Sequence, residues 1–172
     1  MEVVECLRRR RTVRRFKNEP VPESVVTKIL QAARWAPSSR NQQPWHLIVV
    51  RDRGTLVQIG RTARTGSFIG EATLAVAVAM ENADSPELDA GRALQQMELM
   101  AWSEGMGTCF VTLTDAERVE VKRLLEIPPE IDLMTVLPFG YRPGDFKGRG
   151  VSRRSLSEIA HGEKFGNPYP SH

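Results

Sequence analysis

Six arginines fall in the eight residues from Arg8 to Arg15, and the segment Pro37-Ser38-Ser39-Arg40-Asn41-Gln42-Gln43-Pro44-Trp45 follows. The first segment carries guanidinium forks, which grip a phosphate through paired, charge-assisted hydrogen bonds. If it is extended, Arg10, Thr12 and Arg14 project to one side while Arg11, Val13 and Arg15 face the other. Two guanidinium groups and a hydroxyl on one side suit a phosphate dianion. The second segment is a turn dense in hydroxyl and amide groups. Ser38, Ser39, Asn41 and Gln43 can pair with a ribityl chain or a pyrimidine edge, and Trp45 reads as a core residue more than a stacking platform. Together the segments look like two halves of a site for a phosphorylated, ring-bearing cofactor. Alone, the arginine run reads first as a solvated basic strand and less readily as a nucleic-acid arm.

Other catalytic signatures are missing. Gly105-Met106-Gly107-Thr108-Cys109-Phe110 lacks a third glycine and runs from helix to strand, the wrong order for a dinucleotide fingerprint. There is no Walker A loop and no GxSxG elbow, and no serine or cysteine has a histidine partner. His46, His161 and His172 are widely spaced, and Cys6 and Cys109 form no CxxC. Both thiols read as buried, and no metal site is expected. Glu2/Glu5 and Glu117/Glu120 read as solvated helix faces. No side chain is therefore assigned as acid, base or nucleophile. Phosphate and ring binding without them fits an enzyme whose cofactor carries the reaction.

The elements that must position these groups follow from pattern. The chain has 172 residues, 41% hydrophobic and 26% charged, with net charge +3, which suits one domain over 1–172 with a real core. The longest apolar run, Leu74–Met80, is far short of the ~20 residues that cross a bilayer. With no apolar stretch near the start, the expected location is the cytoplasm. Mild charge with local basic clusters favours a small anion over a nucleic-acid track.

Residues 2–10 predict a short helix with Val3, Val4, Cys6 and Leu7 on its apolar side. Glu23–Trp35 predicts a helix on Val25, Val26, Ile29, Leu30 and Ala33. Strands are expected at Trp45–Val50, Ala72–Met80, Thr108–Leu113 and Met134–Tyr141. Between them, Thr55 to Ile69 reads as a helix interrupted by a glycine loop. Leu88–Glu104 predicts a long helix, apolar on more than one side, so central or at a subunit interface. It is closed by Gly105. Thr114 and Glu117 form a capping box for a helix that ends before Pro128, and 155–161 is a short helix or turn. The alternation predicts α+β or α/β.

Arg10-Arg11-Thr12-Val13-Arg14-Arg15-Phe16, then Pro20-Val21-Pro22, then Ala36–Trp45 resembles the amino-terminal signature of the nitroreductase-like flavoproteins. Glu104–Phe110, Leu137–Arg142 and Arg153–His161 resemble later parts of that family more loosely. The resemblance implies an α+β fold with a central, mostly antiparallel sheet flanked by helices. It also implies an intertwined homodimer with FMN at the interface. It places Arg10 and Thr12 at the phosphate, with Arg11 in the same segment, and Arg14 towards the flavin pyrimidine edge. Pro37, Ser38, Ser39 and Asn41 come from the other subunit, Gly140 lies in the later motif, and Arg153 joins the phosphate clamp. Ser155 stands where proline is usual, which leaves the register of Arg153 against Arg154 open.

The activity implied is a ping-pong oxidoreductase. NAD(P)H delivers hydride transiently, and an electron-poor small molecule (nitroaromatic, quinone or enone) removes it. Three rivals stand beside it: a same-fold flavoprotein with one dedicated metabolite, a small basic nucleic-acid-binding domain using 8–15 and Lys147-Gly148-Arg149-Gly150, and a binding module that keeps FMN without turnover.

Overall fold

Leu74–Met80 is apolar at every position and buried at every position, because it is the inner strand β2 with helices on both faces. The computed structural model describes residues 2–148 and 150–170. Around β2 are α1 (Val3–Arg9), α2 (Glu23–Arg34), β1 (Trp45–Val50), α3 (Arg53–Thr62), α4 (Pro86–Ser103), β3 (Met106–Thr108), α5 (Asp115–Leu124) and β4 (Asp132–Tyr141). The sheet order is β1-β2-β4-β3, and every pairing is antiparallel. This is the expected α+β architecture.

Alternation along β2 divides the interior. Leu74, Val76, Val78 and Met80 join Ile29 of α2, Met97 of α4 and Phe139 of β4 in one cluster. Ala75 and Ala77 face the other, with Leu56 and Ile59 of α3 and Val121 of α5. Burying each large side chain is worth about 1.5–3 kcal/mol, so the two layers together fix the sheet between the helices. A bulge beside Val78/Ala79 shifts the register on β4, which lets Leu133 and Val136 share one face.

Local signals explain several boundaries. Thr114 accepts from the Glu117 amide while Glu117 accepts from the Thr114 amide, so the capping box opens α5 as expected. Asp52 caps α3 through the Thr55 amide at 2.7 Å. The stretch expected to be helix and loop resolves into α3 and a separate 3-10 turn at Ser67–Glu71.

Two expectations need correction. Residues 109–113 are not in a strand: β3 ends at Thr108, after three pairs with β4. Cys109, Val111 and Leu113 are still buried while Phe110 and Thr112 are exposed. The period-2 pattern therefore reports an extended chain that packs its side chains without a ladder partner. The apolar side of α1 is also not buried. Only Cys6 is covered, while Val3, Val4 and Leu7 are 69%, 59% and 58% exposed.

Candidate functional site

The arginine segment is held extended along the sheet edge. The Val13 amide donates to Thr108 O at 2.9 Å, and the Lys17 amide donates to Tyr141 O at 2.9 Å. Two glycines permit this approach. A Cβ on Gly107 would lie 2.4 Å from the Val13 side chain, and one on Gly140 would lie 2.8 Å from Phe16. Gly140 is thus accounted for by packing against the segment that carries the cations.

Extension sorts the arginines as alternation predicts. Val13 is buried with Cys6 and Trp102. On that side, Arg11 Nη1 donates to the carbonyls of Arg8 and Arg10 at 2.7 and 2.9 Å, and Arg15 reaches Asp145. Arg142 stacks 3.8 Å over Trp102 and donates to the carbonyls of Trp102 and Met106. Burial, and then the like charge of Arg9, lower the proton affinity of Arg142. These cations complement carbonyls at the ends of α1 and α4, where helix dipoles are negative. Arg9, Arg11 and Arg142 line one cleft with Trp102 and Phe146.

The opposite side differs. Arg10 Nη1 lies 3.7 Å from Glu98 Oε2 of α4, too long for a hydrogen bond. Arg14 lies 5.8 Å from the centre of the Phe68 ring, within cation–π range. Burial pushes the Cys109 thiol up, and the adjacent Arg14 guanidinium pulls against that; Glu98 and Arg10 also act on it. Arg10, Arg14, Glu98 and Cys109 therefore share one environment. Thr12 is exposed in the same segment. Glu98, Phe68 and Cys109 were not marked from the sequence as site residues. An acid between Met97 and Leu99 in an apolar helix is the signal that would have found Glu98.

The Ser38–Gln43 loop is built separately. Arg40, Asn41 and Gln43 have φ values of 49, 57 and 50°, left-handed conformations that cost free energy unless the surroundings hold them. The holding groups are evident. Ser38 Oγ accepts from the Gln43 amide at 2.9 Å. The Ser39 amide donates to both oxygens of Asp89, at 3.0 and 3.2 Å. Asp89 is fully buried and takes a 2.9 Å ion pair from Arg92. Arg40 reaches Asp84, and Gln42 Oε1 accepts from the Asp84 amide. Pro37 and Asn41 stay exposed at the rim of an open depression with Trp35 and Gln43.

One chain does not merge the two halves. The loop is anchored on α4 at Asp89, Arg10 at Glu98, and nine steps of helical rise set these points about 14 Å apart. Arg153 is exposed and has no hydrogen bond or ion pair among the described residues. Arg154 instead donates to Glu158 O at 2.7 Å and pairs with its carboxylate. Arg149 lies outside the described residues.

The family described as the nitroreductase family matches this chain over residues 7–83 and 61–141. A protein of Methanothermobacter thermautotrophicus, provisionally named NADH dehydrogenase/NAD(P)H nitroreductase, is 34% identical over 82% of this chain and 78% of its own length. The iodotyrosine deiodinase of Thermotoga neapolitana is 29% identical over 83% of this chain and 89% of its own length. The solved FMN-dependent nitroreductase of Clostridium difficile R20291 superposes with a TM-score of 0.84 at 25% identity, over 94% of this chain and 99% of its own.

Proposed function

This chain belongs to the nitroreductase family of oxidoreductases, and on that premise we propose that it holds FMN between two copies of itself and reduces electron-poor small molecules with NAD(P)H. The observation that carries the reading is the sorting of cations. Arg10 and Arg14 turn to one side, where no hydrogen-bonded carboxylate among the described residues neutralises them. Arg11 and Arg142 turn away to backbone carbonyls.

The donor set fits a flavin mononucleotide. Arg10 offers a guanidinium to the phosphate, with the exposed Thr12 hydroxyl beside it. Arg14, backed by Phe68, would face the pyrimidine edge, where its charge would favour electron density gathering. When bound, the flavin supplies hydride acceptance from NAD(P)H and hydride delivery to the acceptor. Ser38, Ser39 and Asn41 would reach the ring from the second copy, which accounts for a strained loop held far from Arg10 of its own chain. Pro37 orients that loop at the end of α2, and the exposed Arg153 would join the phosphate clamp from the carboxy-terminal segment. Gly140 serves indirectly, by seating Phe16.

The paired state is supported by uncovered apolar surface. Val3, Cys6, Ala32, Trp35, Leu99 and Met100 line an open groove of about 540 Å³ between α1, α2 and α4, and Trp35 is 75% exposed. Such a face is what an obligate partner would cover.

A second reading, a same-fold enzyme with one dedicated metabolite, is favoured by the deiodinase likeness. The nucleic-acid reading is disfavoured because the arginines of 8–15 split onto two sides, leaving no continuous basic track among the described residues.

The experiment is direct. Purified protein should be yellow, and anaerobic NADH or NADPH should bleach it. A simple quinone or nitroaromatic should restore the colour. Restoration by neither generic acceptor would favour the dedicated-substrate reading. A colourless protein that takes up no added FMN would overturn the proposal.

A further inference from the structure

The wall behind Arg10 carries a carboxylate that the reading above does not use. The Glu98 side chain is 13% exposed, and its one ionic neighbour among the described residues is Arg10 at 3.7 Å. Burial pushes its carboxyl up, and Arg10 draws it back down. Among the described residues, the other charged or titratable groups on this side are Arg14 of the extended segment and Cys109 beyond β3. On α1, Glu5 and Arg9 close on each other. On α2, Lys28 closes on Glu104.

A half-buried acid with a single long ionic contact is weakly satisfied. A phosphate seated on Arg10 would set a second negative charge within a few ångströms of it, which disfavours the ionised carboxyl. Resting on the FMN reading, we propose that Glu98 is a competing anion for Arg10: it faces the guanidinium until the phosphate arrives, and it takes up a solvent proton as the phosphate replaces it. Glu98 is then a positioning residue that tunes cofactor retention. The antagonism is absent while Glu98 is protonated and appears as it ionises, so FMN affinity falls as pH rises through that ionisation. Riboflavin has no phosphate and is indifferent to it.

The test is titration of flavin-free protein with FMN and with riboflavin, followed by flavin fluorescence from pH 5.5 to 8.5, for wild type and Glu98→Gln. The variant should tighten FMN about tenfold at pH 8, the affinity equivalent of one freed hydrogen bond to a charged group, and leave riboflavin unchanged. Equal or weaker FMN binding by the variant would overturn the inference, as would tightening of both flavins alike. Should the variant not fold, calorimetry of the wild type at pH 7.5 in buffers of different ionisation enthalpy decides instead. Net proton uptake with FMN but not with riboflavin supports the proposal, and uptake with neither overturns it. If wild type binds no flavin at all, the functional reading itself falls, whereas binding without phosphate-specific linkage removes only Glu98.

Discussion

Arg10 and Arg11 are adjacent in the chain and have opposite fates. Arg11 spends Nη1 on two carbonyls at the end of α1 and buries Nε without a partner among the described residues, with Gly148 and Gly150 lying against its side chain. Arg10 faces the Glu98 carboxylate on α4 at 3.7 Å, beyond hydrogen-bond range, and keeps donors available. The residue type is the same, and the difference comes from an extended backbone that turns neighbours to opposite sides. Basic composition alone therefore says little about binding. What matters is which cations the fold has already turned inward to its own backbone.

The largest predicted effect removes the geometry on which both sides depend. Gly107→Ala puts a methyl group into Val13, and overpacking of this kind costs about 3 kcal/mol. Thermal melts should show the loss, and flavin retention should fall with it. If both are unchanged, the segment is not seated as described.

The next pair sharpens the contrast. Arg10→Met should weaken FMN binding about 30-fold, the ~2 kcal/mol of charge-assisted bonds, while leaving the melting temperature nearly unchanged. Arg11→Met should do the reverse, lowering stability by about 1–2 kcal/mol with FMN affinity kept. Identical behaviour of the two variants would break the comparison.

Asp89→Asn asks whether the hydroxyl-rich loop is held from α4. Losing the buried charge that meets the Ser39 amide and Arg92 should cost about 2 kcal/mol by chemical denaturation. Proteolysis should also become faster at residues 38–43.

The smallest effect is a control remote from both sides. Hydrogen bonds from the Thr114 amide and then the Arg64 amide hold the Glu117 carboxyl below its ordinary 4.5. A lowered carboxylate contributes stability above its unfolded value and loses it as pH falls. Acid titration of stability below pH 4.5 should therefore be shallower in Glu117→Gln, with flavin affinity untouched.

Much of this was legible from the chain where the cause is local. The strand expected at Trp45–Val50 is β1, and the Thr114–Glu117 box opens α5, because side-chain alternation and caps act within a few residues. The arginine alternation was legible for the same reason. Residues 109–113 misled because burial alternates there while the ladder partner, a non-local matter, is missing. The face of α1 misled because Val3, Val4 and Leu7 find no cover within their own chain. Asp89 and Glu98 passed unnoticed because an acid on a helix looks solvated until neighbouring elements close over it.

The most direct measurement is the preference for FMN over riboflavin, read by fluorescence titration of wild type and Arg10→Met side by side. The account predicts a strong preference in the wild type that shrinks to near parity once Arg10 is gone. A preference that survives the substitution would contradict the assignment of Arg10 to the phosphate.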